Sequence, residues 1–91
     1  MVNVPIKFFK EAEIIRLVEE SKAYTRPKIF NFQAIWDSSQ NGWFIHFSNK
    51  DYEVCKIGLK ADSKKERIFK KINGVEAFFR KVGVNEFKVI L

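Results

Sequence analysis

The chain is poor in the residues that staple, kink or catalyse: it has one cysteine, one histidine, two prolines and four glycines among 91 residues. A single Cys55 closes no intrachain disulfide, and with His46 as the lone imidazole there is no set of ligands at zinc-type spacing. The fold must therefore be held by packing. Gly42, Gly58, Gly74 and Gly83 stand apart from one another, so no Gly-rich phosphate loop exists. No apolar run approaches the roughly 20 residues of a membrane span, and the opening MVNVPIKFFKEAE turns acidic before a secretory core could form. An unpaired cysteine and these absences set a reducing, cytoplasmic compartment as the expectation. Internal repeats and low-complexity tracts are also missing.

What the chain does hold is a 46% hydrophobic, 31% charged composition, which places residues 1–91 as one soluble globular domain. A domain of this size buries only about 60–65% of the surface its unfolded form exposes. Ten phenylalanines are then the natural filling of a small core.

Periodicity divides the chain. Phe8, Ala12, Ile14, Ile15, Leu17 and Val18 cluster at helical spacing with glutamates between them, predicting a first helix over residues 10–23 that ends before Pro27. From residue 28 the period becomes two: Phe30, Phe32, Ala34 and Trp36 alternate with Ile29, Asn31, Gln33 and Ile35, a strand with the first set facing the core. Asp37-Ser38-Ser39-Gln40-Asn41-Gly42 is turn chemistry, and Trp43-Phe44-Ile45-His46-Phe47 returns as a hairpin partner. A third strand over 52–60 completes a meander, with Cys55, Ile57 and Leu59 inward.

Asn73-Gly74-Val75-Glu76 resembles a capping box, Val75, Phe78, Phe79 and Val82 follow at i, i+3, i+4 and i+7, and Gly83 stands where a helix stops in a Schellman motif. Residues 86–91 read as a short final strand. Between, residues 61–72 admit two readings: a short helix started by Ser63-Lys64-Lys65-Glu66, or a loop followed by extended chain over 67–71. The second is preferred, because a new cap at Asn73 is redundant in a helix already running. The expected fold is α+β, in the order α-β-β-β-α-β, with an antiparallel sheet packed on one face against two helices.

Catalytic arrangements are absent from this pattern. A thiol–imidazole pair across neighbouring strands is geometrically conceivable, and a small enzyme using His46 is the distant third reading, but no third member orients a base, and His46 faces with Phe44 and Ser48 whereas Cys55 falls with core residues. Glu11, Glu13, Glu19 and Glu20 read as a solvated helix face whose early members favour the helix dipole. The expectation is a non-enzyme without cofactor or metal.

Charge carries the functional content. The net charge is +6, and residues 60–71 alone hold six basic residues and two acids. Lys60, Lys64, Lys65, Arg67, Lys70 and Lys71, with Arg80 and Lys81 of the second helix and Lys56 of the third strand, form a candidate phosphate-contacting surface. Asn31, Gln33 and His46 join Lys56 and Lys60 on the expected outer face of the sheet, where amides are able to read adenine edges if the sheet enters a major groove. The competing reading is a protein-interaction module, through the sheet face or an edge strand, with its charge serving solubility.

The order of elements is similar to the double-stranded-RNA-binding domain, but Gly74-Val75-Glu76-Ala77 lacks the lysine cluster which that family places on phosphates. It is also similar to the three-stranded-sheet-plus-helix domains of integrase type. A closer likeness lies in four segments together: Val4-Pro5-Ile6-Lys7-Phe8-Phe9; Ala34-Ile35-Trp36-Asp37 with Gly42-Trp43-Phe44-Ile45-His46-Phe47; Arg67-Ile68-Phe69-Lys70; and Phe78-Phe79-Arg80-Lys81-Val82-Gly83-Val84 with Glu86-Phe87. These resemble the ParC-type plasmid partition-associated small proteins, which are unrelated to the topoisomerase subunit of similar name. The resemblance implies a bacterial mobile-element setting, encoded beside partition or replication genes. The expected partners are DNA, through the basic surface, partition or replication proteins, and a second copy paired through an open sheet edge. It supplies no catalytic residue.

Overall fold

Two amphipathic helices lie on one side of a five-stranded sheet in a computed structural model that describes residues 6–23, 27–58 and 65–91. In chain order the elements are β1 (Ile6–Phe9), α1 (Glu11–Ala23), β2 (Ile29–Asp37), β3 (Gly42–Asn49), β4 (Val54–Ile57), α2 (Ile72–Val82) and β5 (Lys88–Ile90). The fold is α+β, as its patterning predicts.

Helix α1 starts within one residue of expectation. Glu13 Oε1 accepts the Lys10 N–H at 3.1 Å, half of a capping box, and Ile14 and Val18 turn one stripe into the core. At its far end Ser21 Oγ donates to the Leu17 carbonyl and accepts the Lys28 N–H at 2.8 Å, tying the helix to the start of β2. Helix α2 buries Val75, Phe78, Phe79 and Val82, the four positions its period selects. Gly83 at φ 90° ends it: the Gly83 N–H reaches the Arg80 carbonyl and the Val84 N–H the Phe79 carbonyl, the two bonds of a Schellman motif. Its beginning differs from expectation. Asn73 lies inside the helix, and the extended Lys71 takes the N-cap position without a side-chain hydrogen bond. The chain already arrives anchored at Phe69, so a side-chain cap is not needed to nucleate the first turn.

The sheet is mixed, not antiparallel, in the order β1-β4-β3-β2-β5. The expected meander is present, β2 with β3 and β3 with β4 antiparallel, but β1 pairs parallel with β4 and β5 parallel with β2. The true order is therefore β-α-β-β-β-α-β. The cause is the helices: a helical crossover returns the chain along its original direction, so each strand joined through one lies parallel to its predecessor. Strand β1 is absent from the sequence reading because it is four residues long and Phe8 continues the helical spacing of α1. Strand β4 is shorter than the expected 52–60: Tyr52 is left-handed at φ 59°, and Leu59 and Lys60 lie outside the described residues.

A β-bulge decides what each side of β2 shows. Phe30 pairs with Ser48 and Gln33 with His46, so Asn31 and Phe32 together oppose Phe47, with Asn31 at φ 59°. The alternation slips by one. Phe30, expected in the core, stands on the outer face against Tyr52, and Ile29 is buried instead. Past the bulge Phe32 turns inward, its ring 5.5 Å from Phe47 and 5.8 Å from Phe79, while Ala34, Ile45 and Phe47 are buried under the helices. Trp36, also expected in that core, is half-buried in a T-shaped pair with Trp43.

Residues 65–71 form an extended strap, the reading preferred over a helix. Phe69 exchanges both backbone hydrogen bonds with Trp43, at 2.8 and 2.7 Å, and the Arg67 N–H donates to the Ile57 carbonyl at 2.8 Å. Gly42 makes this approach feasible, since a Cβ there would fall inside contact distance of Ile68 Cγ2 and 3.2 Å from the Phe69 carbonyl oxygen. Gly42→Ala is expected to cost about 1–3 kcal/mol by overpacking. Gly74→Ala, whose Cβ meets only Phe69 Cδ2 at 3.6 Å inside α2, is expected to gain up to about 1 kcal/mol from helix propensity. Urea denaturation of both variants checks the opposite signs.

Candidate nucleic-acid interface

Neither helix covers the outer face of the sheet, and strand register arranges that face in rows. The central row crosses all five strands: Phe8, Lys56, His46, Gln33 and Lys88 are successive partners on β1, β4, β3, β2 and β5. On one side of it lie Phe44, Ile35 and Ile90, on the other Val54, Ser48 and Phe30. A polar, cationic band is thus flanked by two largely apolar ones. The Phe44 and His46 rings stack at 6.2 Å and 22°, and Phe30 meets the exposed Tyr52 edge-on at 5.7 Å.

His46 is not the open sheet histidine that alternation suggests. Its Nε2 lies 2.7 Å from Glu66 Oε2, and Lys56 Nζ lies 3.3 Å from Glu66 Oε1, so one strap carboxylate bridges β3 and β4. All three side chains are largely buried, at 22%, 14% and 22% exposure, and burial makes such a shared carboxylate worth more than a surface pair. Glu66 escapes the sequence reading because it matches a capping box; a single acid amid five surrounding bases is the signal that it has partners.

The sequence-predicted residues separate into five sets. Lys56, His46 and Gln33 are brought together in the central row. Lys65, Lys70 and Lys71 are exposed on the strap and, among the described residues, have no acidic partner. Arg80, Lys81 and Arg67 are engaged within the molecule: Arg80 with Glu76, Lys81 with Glu11 at 3.2 Å, and Arg67 over the Phe69 and Phe78 rings at 4.6 and 5.6 Å. Asn31, expected beside Gln33, is displaced by the bulge to the β2–β5 margin, where it shares a shallow recess with Phe32, Glu86, Phe87 and Lys88. Lys60 and Lys64 lie outside the described residues. Lys88, alternating with Val89 in the last strand, is a member of the row that the sequence reading does not find.

Cys55 and His46 occupy opposite faces, since Cys55 partners Phe47 and His46 partners Lys56. Burial, reinforced by the Glu53 charge, pushes the Cys55 thiol up to about 11. It stays protonated and poorly nucleophilic at neutral pH. Among the described residues no group of three or more His, Cys, Asp or Glu is placed to hold a metal ion, and no helix is long and apolar enough to cross a membrane. Comparison with protein-family models, with curated proteins and with solved structures finds no match to this chain.

Two outcomes test the geometry. Glu66→Ala should cost about 1–3 kcal/mol and speed hydrogen exchange at the Arg67 and Phe69 amides, which the strap bonds protect. Because the folded protein holds the Cys55 proton more tightly than the unfolded chain, the thiol's contribution to stability should be level from neutral pH to about pH 9 and be lost as pH rises toward 11. Cys55→Ala should flatten that decline in urea denaturation across the same range.

Proposed function

We propose that this protein is a non-enzymatic accessory protein of a plasmid or similar mobile element, in the bacterial cytoplasm, that binds DNA or a DNA-bound partition complex through a basic surface. The observation that carries this reading is the group of exposed strap lysines, Lys65, Lys70 and Lys71. They have no acid partner among the described residues, and Lys65 directly precedes Glu66, which anchors on the outer sheet face. Ion pairing elsewhere narrows the phosphate-contacting set without removing the net charge of +6, whose long-range field still attracts a polyanion. Lys56, His46, Gln33 and Lys88 supply polar groups across a sheet of a kind able to enter a groove. The mobile-element setting is supported by the resemblance of the four sequence segments to ParC-type partition-associated proteins.

Fluorescent duplex titrated at several salt concentrations tests the reading. Affinity should fall steeply with salt, and Lys65→Glu, Lys70→Glu and Lys71→Glu together should reduce the log–log slope by about 0.9 for each phosphate no longer neutralised. Absence of binding even at low salt would overturn it.

The apolar bands favour the second reading, a protein-interaction module without nucleic-acid contact. Phe30, Phe44, Ile35 and Ile90 flank the polar row, and the β5 edge presents Val89 at 49% exposure. An edge-paired homodimer belongs to this reading, and light scattering during size-exclusion chromatography measures it directly.

A further inference from the structure

On the helical side of the sheet, a cleft of about 680 Å³ opens between the start of α1, the end of β4 and the last turn of α2. That volume falls within the range of small-molecule pockets. Lys10 comes to it from the residue before α1, Arg67 from the strap and Lys81 from α2, while Glu11 is the one acid among the described residues that line it. Three cations and one carboxylate give the described part of the lining a charge of +2.

Arg67 is the unusual member. Lys56, also partly buried, has Glu66, and Lys81 has Glu11, but Arg67 has no acid within ion-pair distance among the described residues. Its guanidinium is held over two rings, Phe69 at 4.6 Å and Phe78 at 5.6 Å. The rings hold the end of the side chain in place, and a guanidinium carries five N–H donors, none of which meets an acid among the described residues. A planar fork already fixed by packing loses little freedom when it engages an oxyanion.

We propose that this cleft binds a small phosphate monoester, with the Arg67 fork and the Lys10 and Lys81 ammonium groups gathered on the phosphate oxygens. A phosphate monoester carries about −1.5 to −2 at neutral pH, which matches the lining charge; a carboxylate supplies only half of it. The cleft is much larger than one phosphate group, and Ala12, Ile57 and the Gly58 backbone offer its organic portion a weakly polar wall. This site lies across the sheet from the central row and does not depend on the DNA reading.

Isothermal titration of the full chain with phenyl phosphate, inorganic phosphate and benzoate, at constant ionic strength, tests it. Phenyl phosphate should bind saturably and at least about tenfold more tightly than benzoate, a difference of about 1.4 kcal/mol. Arg67→Gln should abolish binding. Lys10→Gln, at an exposed position outside the core, should weaken it several-fold with the fold intact, and Lys50→Gln, exposed in the turn between β3 and β4, should leave it unchanged. No saturable heat with either phosphate probe, equal binding of benzoate, or unaltered affinity in Lys10→Gln and Arg67→Gln would overturn the proposal. Each of those results leaves duplex binding by the strap lysines to be judged on its own titration.

Discussion

Phe69 and Trp43 exchange a pair of main-chain hydrogen bonds, and both candidate surfaces depend on that bridge. It holds the strap as extended chain, in which neighbouring side chains leave on opposite sides. Glu66 goes to the outer face of the sheet, where it binds His46 and Lys56; Arg67 goes to the helical side, where it lies on Phe69 and Phe78. A one-residue slip would exchange those roles, leaving Arg67 beside Lys56 and a carboxylate against the rings. Gly42 guards the register, because its missing Cβ is the space through which Ile68 and the Phe69 carbonyl approach.

A second constraint is size. Two helices supply one apolar layer, and Ile14, Val18, Val75, Phe78, Phe79 and Val82 are all committed to the same face of the sheet. Among the described residues, the opposite face has no layer of its own. Its central row is completed only because the helical crossovers bring β1 and β5 to the two edges in parallel, adding Phe8 at one end and Lys88 at the other. The connection that makes the sheet mixed is thus also what extends the polar band over its full width.

Charge in this molecule divides by location more than by number. Arg80 and Lys81 sit on α2 within reach of Glu76 and Glu11, pairs that are exposed enough to contribute little to stability. The strap lysines have no such neighbours among the described residues. A basic composition therefore becomes a directional feature only after the fold has matched particular acids with particular bases.

Much of this is legible in the sequence: both helices, the three-strand meander, the extended strap, the Gly83 stop, and the opposite facing of His46 and Cys55. Strict alternation puts Phe30 on the wrong face because a bulge is invisible to it, Asn31 moves with the same bulge, and β1 is too short to have a period. Lys56 and His46 stand out as individuals, without the carboxylate that joins them. Local spacing and backbone preference, acting over a few neighbouring residues, are enough to determine which segments coil and which extend. Tertiary structure alone decides which strands lie at the edges, which bases are neutralised and where Arg67 points, because these depend on residues far apart in the chain meeting in space, as His46 and Glu66 do across 20 positions.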